Sequence, residues 1–241
     1  MIELHTFKGA FGEPSASPFC AKAMCLLQLS GVEWAPNFAA DVRKAPMGKL
    51  PVIVDGDQVI ADSSLIMAHL ERKYGAQFYA GLTPREWGEA HAFSRMAEEH
   101  LVFALTYNRW VIEKNWLHLK REFFDFLPLP LRGFVANKVR KGTISSIVGQ
   151  GMGRFDEAGV AERVEHDLRA IAGRLDGAYL FGDEPTAVDC FLGPLLSSFA
   201  SLPETTVLRE RVREDAVLYG YVERFRDRFY RPLEVSFKEA A

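Results

Sequence analysis

A chain of 241 residues with 48% apolar content is long enough to bury the core of one large domain or two small ones. Its 29 Lys and Arg against 32 Asp and Glu leave a net charge of -3, with no run of one sign beyond mixed stretches such as residues 209–215, which argues against nucleic acid or anionic membrane as partners. The three cysteines, Cys20, Cys25 and Cys190, suit a reducing compartment rather than a disulfide framework. Met1-Ile2-Glu3-Leu4-His5 lacks the basic and then apolar regions of a signal peptide, and no apolar run reaches the roughly 18 residues of a membrane span. A cytoplasmic protein without a membrane span is the expectation.

Up to about residue 80, short strand-like runs alternate with helical ones. Residues 2–7 alternate apolar and polar, residues 20–29 carry apolar positions at helical spacing, and residues 34–38 are short and extended. Leu50-Pro51-Val52-Ile53-Val54 then reads as a strand that turns at Asp55-Gly56-Asp57 and returns through Gln58-Val59-Ile60-Ala61. Asp62 or Ser63 caps the next helix, which Gly75 stops. The order βαβ followed by ββα predicts a small mixed sheet with helices packed on it.

Beyond Gly81 the pattern is helical throughout. Pro84 suits a first turn, and residues 85–112 are rich in helix formers. Pro128, Pro130, Gly133, Gly142, Gly149, Gly151 and Gly153 punctuate the segment 115–153, which therefore predicts shorter helices and a loop. Residues 156–175 form one apolar face, and Gly177 ends it. In Pro185-Thr186-Ala187-Val188-Asp189 the spacing of Thr186 and Asp189 predicts a capping box, Thr186 accepting from the amide three residues on and Asp189 reaching back. Residues 209–230 supply one or two further helices.

Three pieces of this order resemble the glutathione transferase superfamily. Ala45-Pro46-Met47-Gly48-Lys49-Leu50-Pro51-Val52-Ile53, Asp62-Ser63-Ser64-Leu65-Ile66, and Phe181-Gly182 through Asp189 look like that family's motifs at the expected separations. Ser17-Pro18-Phe19-Cys20, the long middle segment and Gly151-Met152-Gly153-Arg154 look most like its failed-axon-connections and metaxin-like branch. The resemblance implies an α+β thioredoxin-like domain over residues 1–78 and an all-α domain over residues 84–241. It also implies glutathione as co-substrate, a hydrophobic electrophilic small molecule as second substrate, and a homodimer.

Under that resemblance Leu50-Pro51 is a cis pair whose Leu50 main chain meets the cysteinyl backbone of glutathione, as an added strand would. Asp62 and Ser63, at a helix N-terminus, suit the γ-glutamyl carboxylate, to which backbone amides and a hydroxyl would donate, and Lys49 could reach the glycyl carboxylate. A free thiol near pKa 8.5 is only a few per cent ionised at neutral pH, so a hydroxyl donor is needed beside it. Ser17, in the first position of a C-x-x-C-like turn, is one candidate; Ser15 is a competitor, because serine-type transferases place their serine two residues before the comparable proline, where this chain has Ala16. Phe7 closes the tyrosine route. Cys20 lacks the first thiol of a redox pair and, with Cys25 and Cys190, reads as core. Phe103, Tyr107, Trp110, Trp116, Phe123 and Phe124 make the region facing the first domain aromatic, with Tyr107 and Trp110 expected in an electrophile pocket. No metal-ligand spacing occurs. Two function classes stay open: a glutathione-conjugating enzyme, and a non-catalytic binding or interaction protein on the same fold.

Overall fold

The computed structural model describes residues 1–39, 41–125 and 127–233. Strand β1 (Ile2–His5) leads through a tight loop to helix α1 (Pro18–Ser30), and β2 (Trp34–Asn37) returns parallel to β1, with Leu4 opposite Pro36. Pro36 donates no hydrogen bond, which an edge position tolerates. Strands β3 (Val52–Asp55) and β4 (Gln58–Ala61) form the hairpin that Asp-Gly-Asp predicts, and β3 lies antiparallel to β1. The sheet order is β2-β1-β3-β4. Helix α2 (Ser63–Tyr74) follows and ends at Gly75, whose φ of 70° suits a residue without a Cβ. This is the thioredoxin-like arrangement, and Leu50-Pro51 is cis.

The remainder is helical. Helices α3 (Pro84–Met96) and α4 (Val102–Trp110) are joined by one wide π-helical turn over Ala97–Leu101. Then come α5 (Glu113–Phe123), α6 (Leu129–Gln150), α7 (Glu157–Arg174), α8 (Asp189–Ala200), α9 (Val207–Glu214) and α10 (Ala216–Phe225). Where the glycines of residues 115–153 predict interruption, α6 runs unbroken for 22 residues. Pro128 is the residue before the helix and Pro130 sits in its first turn, where the missing N–H costs nothing. Gly133 and Gly142 only weaken the helix by about 1 kcal/mol each relative to Ala and keep all their backbone donors.

The Thr186–Asp189 motif forms in part as expected. The Asp189 carboxylate accepts the Thr186 amide at 2.8 Å. The Thr186 hydroxyl, however, turns to that carboxylate at 3.0 Å, and the Asp189 amide bonds the Thr186 carbonyl instead. Leu180 N–H and Tyr221 O–H complete the shell of a side chain with no exposure at all.

The two parts share an apolar core. Ala23, Met24 and Leu27 of α1 belong to one buried cluster with Cys190 of α8 and with Phe225 and Phe229 near the C-terminal end. Gly193 of α8 lies so close to Phe225 that a Cβ there would stand 2.2 Å from the ring. A polar clamp adds to this: Glu13 Oε1, from the β1–α1 loop, accepts from Ser197, Ser201 and Arg226 at 2.7, 2.7 and 2.9 Å. Lys22 of α1 pairs with Glu98 of the π-helical turn at 2.6 Å, both side chains buried.

Candidate functional site

The site grows out of the loop between β1 and α1. Ala16 N–H donates to Lys8 and Glu13 N–H to Ala10, so the loop folds back on itself before the chain enters α1 at Pro18. Ser17 is the residue before the helix, with extended backbone (φ -105°, ψ 123°), and its hydroxyl makes no capping hydrogen bond. Ser15 lies behind it, 1% exposed, its oxygen accepting from the Thr6 hydroxyl and from the Ser17 amide, each at 3.3 Å.

A cleft of about 230 Å³ opens between this turn and the helical part. Phe7, Ala16, Ser17, Pro18 and Phe19 form one wall; Val102, Leu105, Thr106, Arg109 and Trp110 of α4, with Leu119 and Phe123 of α5, form the other. Ser17 therefore lines the cleft, whereas Ser15 is not among its lining residues. Trp110 lines it, with Phe123 packed edge-on against it at 6.4 Å and Phe7 at 5.2 Å from Phe123. Tyr107, expected beside Trp110, lies in the helical core and is not among the lining residues. Trp116 and Phe124 stack behind Trp110 in a separate buried cluster.

Cys20 faces neither cleft nor solvent. Its thiol sits among Thr6, Ser15, Ser17 and the Phe7 backbone; burial pushes its pKa up, and those hydrogen bonds only partly oppose the rise. Lys49 is exposed, while Leu50 and Pro51 are buried beside β3. Asp62 has φ 80° and caps α2 with its own carboxylate, which accepts from the Ser64 and Leu65 amides at 2.8 and 3.2 Å. Ser63 next to it is 2% exposed. Lys22 reaches this corner from behind, donating to Ser64 at 3.4 Å. Among the described residues no group of three metal-ligating side chains occurs, and no helix is long and apolar enough to cross a membrane.

Sequence reasoning missed Arg109. It is 5% exposed, and its Nη1 donates to the Ala16 carbonyl at 2.8 Å, tying α4 to the turn that carries Ser17. The guanidinium lies over the Phe11 ring at 5.3 Å. Its Nε and Nη2 have no hydrogen-bond partner among the described residues. Burial lowers its pKa, with Glu13 foremost among the charges that oppose this. A lone arginine in an amphipathic segment carries no spacing signal, and its contacts lie 93 residues away.

A thioredoxin-like sheet domain followed by helices, with a cleft between them at the start of α1, defines the class of the glutathione transferases. The family model described as "Glutathione S-transferase N-terminal domain" matches residues 18–115, and that described as "Glutathione S-transferase, C-terminal domain" matches residues 164–225. The chain belongs to the glutathione S-transferase family. It is 30% identical over 243 residues to isoprene-epoxide--glutathione S-transferase of Rhodococcus sp. (strain AD45), covering 95% of this chain and 99% of that protein. It is also 30% identical over 244 residues to Failed axon connections of Drosophila melanogaster, covering 95% of this chain but 58% of the relative's length. Among solved structures, glutathione transferase GSTFuA3 from Phanerochaete chrysosporium shares the fold with a TM-score of 0.64 and 18% identity, over 93% of this chain and 95% of that one.

Proposed function

We propose that the protein is a glutathione transferase in which the Ser17 hydroxyl stabilises the glutathione thiolate for attack on a hydrophobic electrophilic small molecule. The observation that carries this reading is that Ser17, rather than Ser15, lines the cleft with its hydroxyl uncommitted to helix capping. Bound glutathione supplies the nucleophilic sulfur. The chain's part is to hold and orient it. The Leu50 main chain, next to Pro51, receives its backbone; exposed Lys49 serves the glycyl carboxylate. The Asp62 carboxylate, already taken by two amides, faces the γ-glutamyl ammonium, and the carboxylate falls to Ser63 at the positive end of α2. Ser17 donates to the sulfur from the N-terminal end of α1, where a hydroxyl and the helix dipole both favour an anion. Trp110 and Phe123, with the apolar residues around them, exclude water from the reacting carbon. In this division residues 1–78 bind glutathione and residues 84–241 receive the electrophile, within a cytoplasmic homodimer.

The test compares glutathione binding and turnover in the wild type, Ser17→Ala and Ser15→Ala. Millimolar glutathione should raise the melting temperature. Ser17→Ala should raise the pKa of the bound thiol, read by thiolate absorbance, and slow turnover about tenfold for each pKa unit lost. Unchanged thiolate absorbance in Ser17→Ala, with a loss in folded Ser15→Ala, would transfer the role to Ser15. The likeness to Failed axon connections favours a second reading, a non-catalytic interaction protein. Absence of any melting-temperature rise with glutathione would decide for that one.

A further inference from the structure

The peptide group between Ala16 and Ser17 is held at both of its polar atoms. Arg109 Nη1 donates to the Ala16 carbonyl at 2.8 Å, and the Ser17 amide donates to Ser15 Oγ at 3.3 Å. A planar unit pinned at its oxygen and its nitrogen carries the next Cα with it, so the direction in which the Ser17 side chain leaves is set by these two bonds. On the far side the Ser17 carbonyl accepts the Ala21 amide at 3.0 Å, and Pro18 keeps the Ser17 backbone extended. Only the rotamer of the Ser17 hydroxyl is left to choose.

Both clamps are themselves fixed. Arg109 is 5% exposed, its Nε and Nη2 are sealed from solvent, and its bond to Ala16 is its one hydrogen bond among the described residues. Its guanidinium lies over Phe11 of the β1–α1 loop, and Glu13 of the same loop is anchored to α8 by Ser197 and Ser201. Ser15, 1% exposed, also accepts from the Thr6 hydroxyl at the end of β1. Burying a guanidinium for a single main-chain acceptor is a costly way to gain stability. What it secures is the place of one carbonyl, next to the serine that lines the cleft.

We infer that Arg109 and Ser15 are positioning residues for Ser17, gripping the Ala16–Ser17 peptide group from opposite ends and so aiming the Ser17 hydroxyl at the glutathione sulfur. The inference rests on the proposed role of Ser17. It gives Ser15 a task that needs no contact with glutathione, in keeping with a side chain that is not among the cleft-lining residues. Placement on this scale matters, since a displacement of about 1 Å in a reacting geometry costs about 100-fold in rate.

The test is a double-mutant cycle on the thiol pKa of bound glutathione, read by thiolate absorbance in the whole chain saturated with glutathione. Arg109→Met and Ser15→Ala should each raise that pKa by about one unit, a tenfold loss of thiolate, and Arg109→Lys, which keeps a donor for Ala16, should raise it less. In the Ser17→Ala background the same substitutions should move it no further, because they act through the hydroxyl they aim. Equal rises with and without that hydroxyl would overturn the inference, since the substituted groups would then act on the sulfur by charge or through the fold at large. An unchanged pKa in the folded variants, with a rise in Ser17→Ala, would overturn it while leaving the role of Ser17 intact. Each residue is judged by its own cycle. If Arg109→Met does not fold, Arg109→Lys and Ser15→Ala carry the measurement; Ser15→Ala leaves the Thr6 hydroxyl its Phe7 carbonyl at 3.2 Å. An unchanged pKa in Ser17→Ala, or no binding of glutathione to the wild type, would refute the proposed role of Ser17 and this inference together.

Discussion

The carboxylate of Asp189 accepts both the amide and the hydroxyl of Thr186, at 2.8 and 3.0 Å, and holds the start of α8 against the turn that precedes it. Since Leu180 N–H and Tyr221 O–H share the same carboxylate, Asp189→Ala strands four buried donors at once. The expected cost is about 3–5 kcal/mol, against about 1 kcal/mol for Thr186→Val. Urea unfolding of the two variants measures the difference.

Gly193 and Phe225 make a second prediction. A methyl group at 193 meets the ring at 2.2 Å, and Phe225, with no exposure, has nowhere to retreat. Gly193→Ala should destabilise by about 1–3 kcal/mol or more despite the better helix propensity of alanine. The double variant Gly193→Ala/Phe225→Leu should recover part of the loss; additive losses in a double-mutant cycle would show that the clash is not what costs stability.

Lys22 and Glu98 form a buried pair, and Arg95 also bonds Glu98. Lys22→Met leaves a carboxylate in a desolvated place and should cost about 3–5 kcal/mol. Replacing both charges, as Lys22→Met/Glu98→Leu, should be markedly less damaging than the single change. Thermal melts of the three variants check the order.

Asp55 gives a pH dependence of known sign. Burial raises its carboxyl pKa, but hydrogen bonds from Lys73, His69 and Tyr74 outweigh burial and hold it at about 2. An unfolded aspartate titrates near pH 3.9, so the folded state gains about 2 kcal/mol from this group above roughly pH 4. That gain disappears as the pH falls towards 2. In Asp55→Asn the denaturant midpoint should lose this part of its slope between pH 2 and 4.

What the sequence disclosed was local. The hairpin at Asp55-Gly56-Asp57, the cap at Asp62 and the start of α1 at Pro18 each rest on neighbours within a few residues, and all three form. Tyr107 and Trp110 show where such reasoning ends. Helix α4 is buried on more than one side, so its apolar pattern does not say which face meets the cleft. The π-helical turn at Ala97–Leu101 adds a residue and rotates everything after it by about 100°, a shift no propensity announces. Arg109 and Glu13 were invisible for a related reason: their partners lie 93 and up to 213 residues away. In the proposed function the preference for Ser17 over Ser15 rests on which of the two lines the cleft, a matter of how the β1–α1 loop closes rather than of motif.

The three cysteines all have 0% exposure, and burial raises the pKa of each thiol. A protein that handles reactive carbon is ordinarily its own nearest victim. Here every sulfhydryl of the chain is walled off and kept protonated, so in the proposed function the thiolate an electrophile would meet in the cleft is the one glutathione brings. Under the proposed chemistry, that placement gives the protein immunity to its own substrates.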